Sequence, residues 1–250
     1  MWYIIYITRK ERAMAIYVTS DLHGLEVERL EALLKKVNFS DSDWLYILGD
    51  VIDRTNDGGV ALLRWCTYQP NVQLILGNHE AMLLACDFLF DEINEESIDA
   101  LSADKLAVLE RYTRNGGDVT LNTLQRLNAE DREELFDILD YLRDAPLYET
   151  VSVGGRDFIL VHGGLKHFSP EKKLSEYAPD ELLWCRPLPH DKYFTDIITV
   201  VGHTPTFVYE RVAPGKILKM PTWINVDVGV PYGHSPALLR LDDLTEFYLD

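Results

Sequence analysis

Asp21 and His23 stand one residue apart in Ser20-Asp21-Leu22-His23-Gly24, where an apolar run opens into a turn. An extended chain turns alternate side chains to one face. A carboxylate oxygen and an imidazole nitrogen on one face suit a Zn, Mn or Fe ion. Four further segments carry residues of the same kind: Gly49-Asp50-Val51-Ile52-Asp53-Arg54, Gly77-Asn78-His79-Glu80, His162-Gly163-Gly164 and Gly202-His203-Thr204-Pro205. Taken singly, each has a plain explanation. A D-x-H triplet occurs by chance, Gly-Asn is common turn punctuation, and a loop histidine is ordinarily hydrogen-bonded without holding a metal. Asp53 and Arg54 could be a surface ion pair of little energetic weight.

Their places in the chain favour the chemical explanation. Ile16-Tyr17-Val18-Thr19 reads as a strand from its β-branched and aromatic content. Trp44-Leu45-Tyr46-Ile47-Leu48 and Val72-Gln73-Leu74-Ile75-Leu76 read likewise, and all three run into one of the polar segments. A helix follows each. The first places Leu30, Leu33, Leu34 and Val37 at i, i+3, i+4, i+7 with charged residues between them. The second runs from about Gly59 to Tyr68, and the third follows Glu80. Strand, polar loop and helix three times over is the pattern of βαβ units around a parallel sheet, an α/β organisation. Ligands of such sheets bind at the carboxyl ends of the strands, so the polar segments converge.

From Asp91 to Pro146 the pattern changes to helices and turns, with 15 acidic and 6 basic residues. This is read as a helical insertion shaping one side of a cleft. Its last helix starts from Asn128 as N-cap and carries Leu135, Ile138, Leu139 and Leu142 at helical spacing, and Asn115-Gly116-Gly117 is a turn. The second half is β-rich. Leu147–Val153 and Asp157–Val161 form a hairpin across Gly154-Gly155 and end at His162. Ile197-Ile198-Thr199-Val200-Val201 ends at Gly202-His203, and short strands are expected around Phe207–Arg211, Trp223–Val228 and Pro236–Leu241.

The 250 residues are 47% hydrophobic and 26% charged, an ordinary globular balance. No Pro/Gly/Ser-rich linker divides the chain, so residues 1–250 read as one domain. A net charge of −17 disfavours non-specific nucleic-acid binding and basic membrane anchoring. Cys66, Cys86 and Cys185 follow no C-x-x-C spacing, which argues against a disulfide framework or structural zinc and for a reducing cytoplasm. The apolar Met1–Thr8 run is too short to span a bilayer, and its charges follow it instead of preceding it, unlike a signal peptide. Met14 offers an alternative start, leaving residues 1–13 as an upstream extension without functional weight.

In this order, D-x-H-G, G-D-x-x-D-R, G-N-H-E, H-G-G and G-H-T resemble the calcineurin-like metallophosphoesterases. More narrowly, they resemble the phosphoprotein (serine/threonine) phosphatase family and its bacterial and bacteriophage branch. The resemblance implies a central β-sandwich of mixed sheets flanked by helices (α+β in some schemes), with the insertion added. It implies two divalent cations, most readily Mn, with Fe or Zn also compatible with mixed N/O ligation. Asp21, His23 and Asp50 would hold one ion, and Asp50, Asn78, His162 and His203 the other, with Asp50 bridging. A hydroxide shared between the ions would attack phosphorus directly. His79 would give a proton to the leaving alkoxide, Asp53 would orient its ring, and Arg54 and Arg186 would clamp the phosphate. Glu80 would support the ligands from behind, Trp184 is read as packing, and Tyr232 lies in a segment near the family's site. His167, His190 and His234 lack motif support and read as surface or loop residues. Two departures stand out: Ser20 replaces the usual Gly before the first Asp, and the Gly of D-R-G is displaced to Gly58 or Gly59.

The leading expectation is a metal-dependent phosphomonoesterase acting on phosphoserine or phosphothreonine in proteins, with tolerance of small phosphate esters. The alternative is a symmetrical diadenosine tetraphosphatase or another small-nucleotide phosphohydrolase. The absence of an evident basic polyphosphate pocket in so acidic a chain favours the first. An inactive phosphate-recognising module, the alternative of another class, would have lost a ligand or the acid pair, and here all are present.

Overall fold

The structure is a computed structural model that describes residues 14–91 and 102–249. The expected upstream extension, residues 1–13, and residues 92–101 of the expected insertion lie outside the described residues. Strands β1 (Ile16–Thr19), β2 (Trp44–Ile47) and β3 (Val72–Leu74) alternate with helices α1 (Val27–Lys36), α2 (Val60–Thr67) and α3 (Asn78–Leu84). Helices α4 (Ala103–Arg114), α5 (Asp118–Glu130) and α6 (Arg132–Arg143) follow. The remainder comprises β4 (Tyr148–Val153), β5 (Arg156–Val161), α7 (Pro179–Leu183), β6 (Ile197–Val201), β7 (Leu218–Lys219), β8 (Trp223–Asn225), β9 (Ala237–Arg240) and β10 (Thr245–Tyr248).

Two mixed five-stranded sheets run β10-β9-β1-β2-β3 and β4-β5-β6-β8-β7. In the first, β1, β2 and β3 are parallel and run to the β3 edge, with β9 and β10 antiparallel on the other side; in the second, β5, β6 and β8 form a parallel centre flanked by antiparallel β4 and β7. The pleat explains the layers. Ile16 and Val18 point to one side, where they meet Leu48, Ile75, Phe158, Leu160 and Val200 in a core between the sheets. Tyr17 points the other way and joins Leu45, Ile47 and Leu74 beneath the helices. Ile159, Val161, Val201 and Trp223 form a third apolar layer with Tyr177, Leu182 and Tyr193. The result is the expected β-sandwich of mixed sheets flanked by helices.

Three local expectations need correction. Asn128 is inside α5, and the cap of α6 is Asp131, whose Oδ1 accepts from the Glu134 N–H at 3.0 Å. One residue therefore separates two helices, which sequence periodicity alone runs together. Phe207–Arg211 is not a strand: residues Thr206–Tyr209 form a 3-10 turn after Pro205, and Phe207 packs edge-on against Tyr232 with centroids 5.3 Å apart. The third is an addition: the edge strands β7 and β10, not among the expected strands, pair antiparallel with β8 and β9. Among the described residues no helix is long and apolar enough to cross a membrane.

Candidate metal centre and active site

Every polar segment leaves the carboxyl end of a strand, and backbone hydrogen bonds draw the segments together. The Asp21 N–H donates to Gly49 O at 3.1 Å, His23 N–H to Asp50 O at 2.9 Å, and Gly202 N–H to His162 O at 2.7 Å. Across the two sheets, the His203 N–H donates to Asp21 Oδ2 at 2.8 Å. Asp21 and His23 share a face for a different reason than strand alternation. Their φ angles are 52° and 42°, and Asp50 (53°), Asp53 (78°), Arg54 (70°) and His203 (66°) are also left-handed. Each such turn costs a non-glycine residue about 1–2 kcal/mol, and together they aim the side chains inward. Gly49 (φ 78°) lets two loops touch, since a side chain there would strike the Gly77 backbone and His162 Nδ1.

Glu80 holds this arrangement from behind. Fully buried, it accepts at Oε2 from the N–H groups of Asp50 (2.8 Å) and Gly77 (3.1 Å), and at Oε1 from Val51 (2.8 Å) and Ile52 (3.3 Å). Glu80→Ala would strand four buried donors, each worth about 1–3 kcal/mol. The expected outcome is a loss of about 3 kcal/mol or more in urea unfolding, with weakened cation binding. An unchanged unfolding midpoint would refute this.

The nitrogen donors are prepared for a cation. His23 Nδ1 donates to Ile52 O at 2.8 Å and His162 Nδ1 to Leu48 O at 2.6 Å. A carbonyl oxygen only accepts, so the Nε2 lone pairs face inward. Asp50 lies between them, with Oδ2 3.7 Å from His23 Nε2 and Oδ1 3.4 Å from His162 Nε2. Asp21 Oδ1 is 4.0 Å from His23 Nε2. On the other side, His162 Nε2 is 2.9 Å from Asn78 Oδ1 and 3.2 Å from His203 Nδ1. His203 Nε2 is buried with no hydrogen-bond partner. Two sets of donors, His23–Asp50–His79 and Asp50–His162–His203, each have all their ligand atoms within 4.8 Å of one another. Burial, and the neighbouring imidazoles and guanidinium groups, hold His23 and His203 well below the usual histidine pKa. Neutral, inward-facing imidazoles beside buried carboxylates fit a pair of divalent cations.

Beside this centre His79 Nδ1 and Asp53 Oδ2 are 2.6 Å apart, and both side chains are buried. Burial pulls the His79 pKa down, but Asp50 and Asp53 outweigh it and the net shift is upward. Arg54 Nη2 donates to His79 Nε2 at 3.2 Å, and its Nη1 reaches the Tyr232 hydroxyl at 3.4 Å. Arg186 Nη1 bonds Thr204 Oγ1 at 2.9 Å and His203 O at 3.3 Å. Both guanidinium groups line a cavity of about 80 Å³ with Asp21, His23, His203 and Asp227. That volume is enough for a phosphoryl group.

All ten residues expected from the sequence thus meet around one site. Asp227 was not anticipated: the strand was expected to run on to Val228, whereas β8 ends at Asn225 and leaves Asp227 just past it, as the other site residues follow their strands. Tyr232, in a segment expected near the site, contributes to the wall. Trp184 packs edge-on to His203 and is covered on one side by the Arg111 guanidinium 4.3 Å from its centroid, while also lining a cavity beside the site. Cys185 is buried, and burial pushes its thiol up. Cys66 and Cys86 are also free and buried. His190 is solvent-exposed, as expected.

A sequence model of the calcineurin-like phosphoesterase family matches residues 14–238, which take in every one of these groups. The chain belongs to this family. Among characterised relatives of this phosphoesterase, the symmetrical bis(5'-nucleosyl)-tetraphosphatase of Acidovorax sp. (strain JS42) is 33% identical over 165 residues, 65% of this chain and 48% of the relative. The enzyme of the same name from Delftia acidovorans is 31% identical over 155 residues, 61% of this chain and 45% of the relative. The chain spans about half the length of the curated relatives it matches. A solved structure provisionally assigned as a diadenosine tetraphosphatase superposes with a TM-score of 0.61 at 18% identity, covering 96% of this chain and 94% of that one. A serine/threonine phosphatase from Saccharomyces cerevisiae superposes at 0.55 with 16% identity, covering 93% and 74%. At such identities the superpositions speak to the fold alone.

Proposed function

We propose that this phosphoesterase hydrolyses phosphoric anhydrides of small nucleotides, with symmetrical dinucleoside tetraphosphates as its substrate class. The observation that carries the substrate class is the 33% identity to symmetrical bis(5'-nucleosyl)-tetraphosphatases. A second cavity, of about 430 Å³, adds support: it shares Arg186 with the phosphoryl-sized pocket, has Phe168 and Trp184 on its wall, and carries Lys166 and Lys192. A positive rim beside an aromatic wall suits a nucleotide leaving group, and it answers the apparent lack of a basic pocket that favoured a protein phosphatase.

In this reading Asp21, His23, Asp50, Asn78, His162 and His203 hold two divalent cations, for which Mn is our choice. When bound, the cations supply Lewis acidity and an activated water. Arg54 and Arg186 grip phosphoryl oxygens with planar guanidinium forks. Arg54 leaves His79 as it does so, and this frees Nε2 to face the leaving oxygen, where it protonates only a group, such as an alkoxide, that needs a proton to depart. Asp53 holds the ring at Nδ1 and balances the imidazolium. Three buried free thiols fit a reducing cytoplasm as the place of action.

The Asp53–His79 pair favours a second reading, a phosphomonoesterase. An alkoxide leaving group needs a proton in the transition state, whereas a nucleoside diphosphate leaves as a stabilised anion. A turnover panel separates the two: diadenosine tetraphosphate, phosphoserine peptides and p-nitrophenyl phosphate, each with Mn and with chelator. The expected result is a kcat/KM for the dinucleotide about 100-fold or more above that for the peptides, two nucleoside diphosphates as product, and loss of turnover with chelator. Faster peptide turnover would reverse the order, and no turnover at all would leave a binding module.

A further inference from the structure

We propose that the helical insertion is a positioning device for proton donation: Tyr112 of α4 and Thr120 of α5 clamp the free oxygen of Asp53 and thereby fix the His79 ring. The proposal rests on the reading of His79 as proton donor. Asp53 Oδ2 is taken by His79 Nδ1 at 2.6 Å. The other oxygen, Oδ1, receives the Tyr112 hydroxyl at 2.7 Å and the Thr120 hydroxyl at 2.5 Å. Asp53, Tyr112 and Thr120 are all fully shielded from solvent. Among the described residues these two hydroxyls and the imidazole are the side-chain groups hydrogen-bonded to the carboxylate, and they hold it from both oxygens.

The insertion also grips the backbone that carries Asp53. The Asp53 N–H donates to Thr120 Oγ1 and to Gly58 O, each at 3.1 Å, and the Arg54 N–H donates to Gly116 O at 3.0 Å. Asp53 and Arg54 are consecutive left-handed residues, φ 78° and 70°, in the loop from which the usual glycine after D-R is displaced. The insertion supplies the external hydrogen bonds that keep such a loop in place. Gly116 and Gly117 make the approach feasible: a side chain at Gly116 would press on Arg54, and one at Gly117 would collide with the Tyr112 ring. A tyrosine that merely filled the core would need no hydroxyl aimed at this carboxylate.

The test removes the hydroxyls without removing the bulk. In the Mn-loaded enzyme, Tyr112→Phe and Thr120→Val should each lower kcat on a phosphate ester with a poor leaving group, such as glycerol phosphate, about 10-fold with KM unchanged. On p-nitrophenyl phosphate, whose leaving group needs no proton, both should stay within about two-fold of the parent. Thr120→Ser, which keeps a hydroxyl, should restore the rate. In the metal-free protein, Tyr112→Phe should also shift the proton resonance of the His79 Nδ1–H, the spectroscopic mark of the short bond to Asp53. In a His79→Asn background, Tyr112→Phe should have no further effect. Equal losses on both esters, or no loss on either, would overturn the proposal and leave Tyr112 and Thr120 as packing. If His79→Asn itself shows no leaving-group dependence, the proton-donor reading fails and this proposal with it. Dependence in His79→Asn without it in Tyr112→Phe and Thr120→Val overturns the clamp alone.

Discussion

Asp50→Asn is expected to abolish binding of both cations and turnover together, a loss well beyond the about 10–100-fold typical of an outer partner. The reason is geometric. The two oxygens of Asp50 face different imidazoles, Oδ2 toward His23 and Oδ1 toward His162, so one carboxylate serves both halves of the centre. An amide offers one neutral oxygen and can serve only one half. Metal content measured after equilibration with Mn, alongside hydrolysis of p-nitrophenyl phosphate, checks this, and a variant retaining two ions per chain would refute it. Stability should move the opposite way. Without cations, burial, with Asp21 and Glu80 beside it, pushes the Asp50 carboxyl well above the usual range against the pull of His79, and burial with Asp21 does the same to Asp227. A carboxyl raised in the folded state is penalised once it ionises, so its cost is absent below the unfolded pKa and grows as pH climbs toward the folded one. The metal-free protein should therefore unfold progressively more easily as pH rises above the ordinary carboxylate range, and cation loading should flatten that slope. Asp50→Asn removes one of these charges and should unfold later than the parent in chelator at about pH 8.

His79→Asn should leave cation binding largely intact while lowering turnover of alkyl phosphates by about 10²–10⁴-fold, the usual worth of a positioned proton donor. His79 Nε2 lies 3.9 Å from Asp50 Oδ2, close enough for the imidazole to be considered a ligand. Its environment argues otherwise: Asp53 holds Nδ1 and the Arg54 guanidinium occupies Nε2, and a guanidinium and a metal ion compete for the same lone pair. The choice of ester is decisive. With p-nitrophenyl phosphate or a dinucleoside polyphosphate the loss should be much smaller, since those groups leave without a proton. Full activity on alkyl phosphates would remove His79 from the mechanism, and loss of one bound ion would reassign it as a ligand.

Much of the site was legible because its residues follow a local rule. Strand-forming runs end in short polar segments, and a parallel sheet gathers such ends on one edge. This places Asp21, His23, Asp50, Asn78, His162 and His203 together from the sequence, and the structure sends Tyr17 to one apolar layer and Ile16 and Val18 to the other. Asp227 escaped the rule because the strand preceding it reads as running from Trp223 to Val228, whereas β8 ends at Asn225. Substrate class was less legible: the net charge of −17 spoke against a basic pocket, whereas Lys166, Lys192 and Arg186 are brought to one rim from separate turns.

Tertiary structure alone decided how the ligands are aimed and what supports them. Left-handed turns at Asp21, His23 and Asp50 follow from hydrogen bonds between loops some 30 residues apart, which periodicity cannot express. Tyr112 and Thr120 lie 59 and 67 residues beyond the aspartate they hold, and in sequence each reads as an ordinary helix residue. Local propensity and patterning act over a turn or a strand, so they specify elements and the residues at their ends. Which oxygen of a buried carboxylate meets which donor is settled only when distant elements pack, because only then is water excluded and each polar group forced to find a partner.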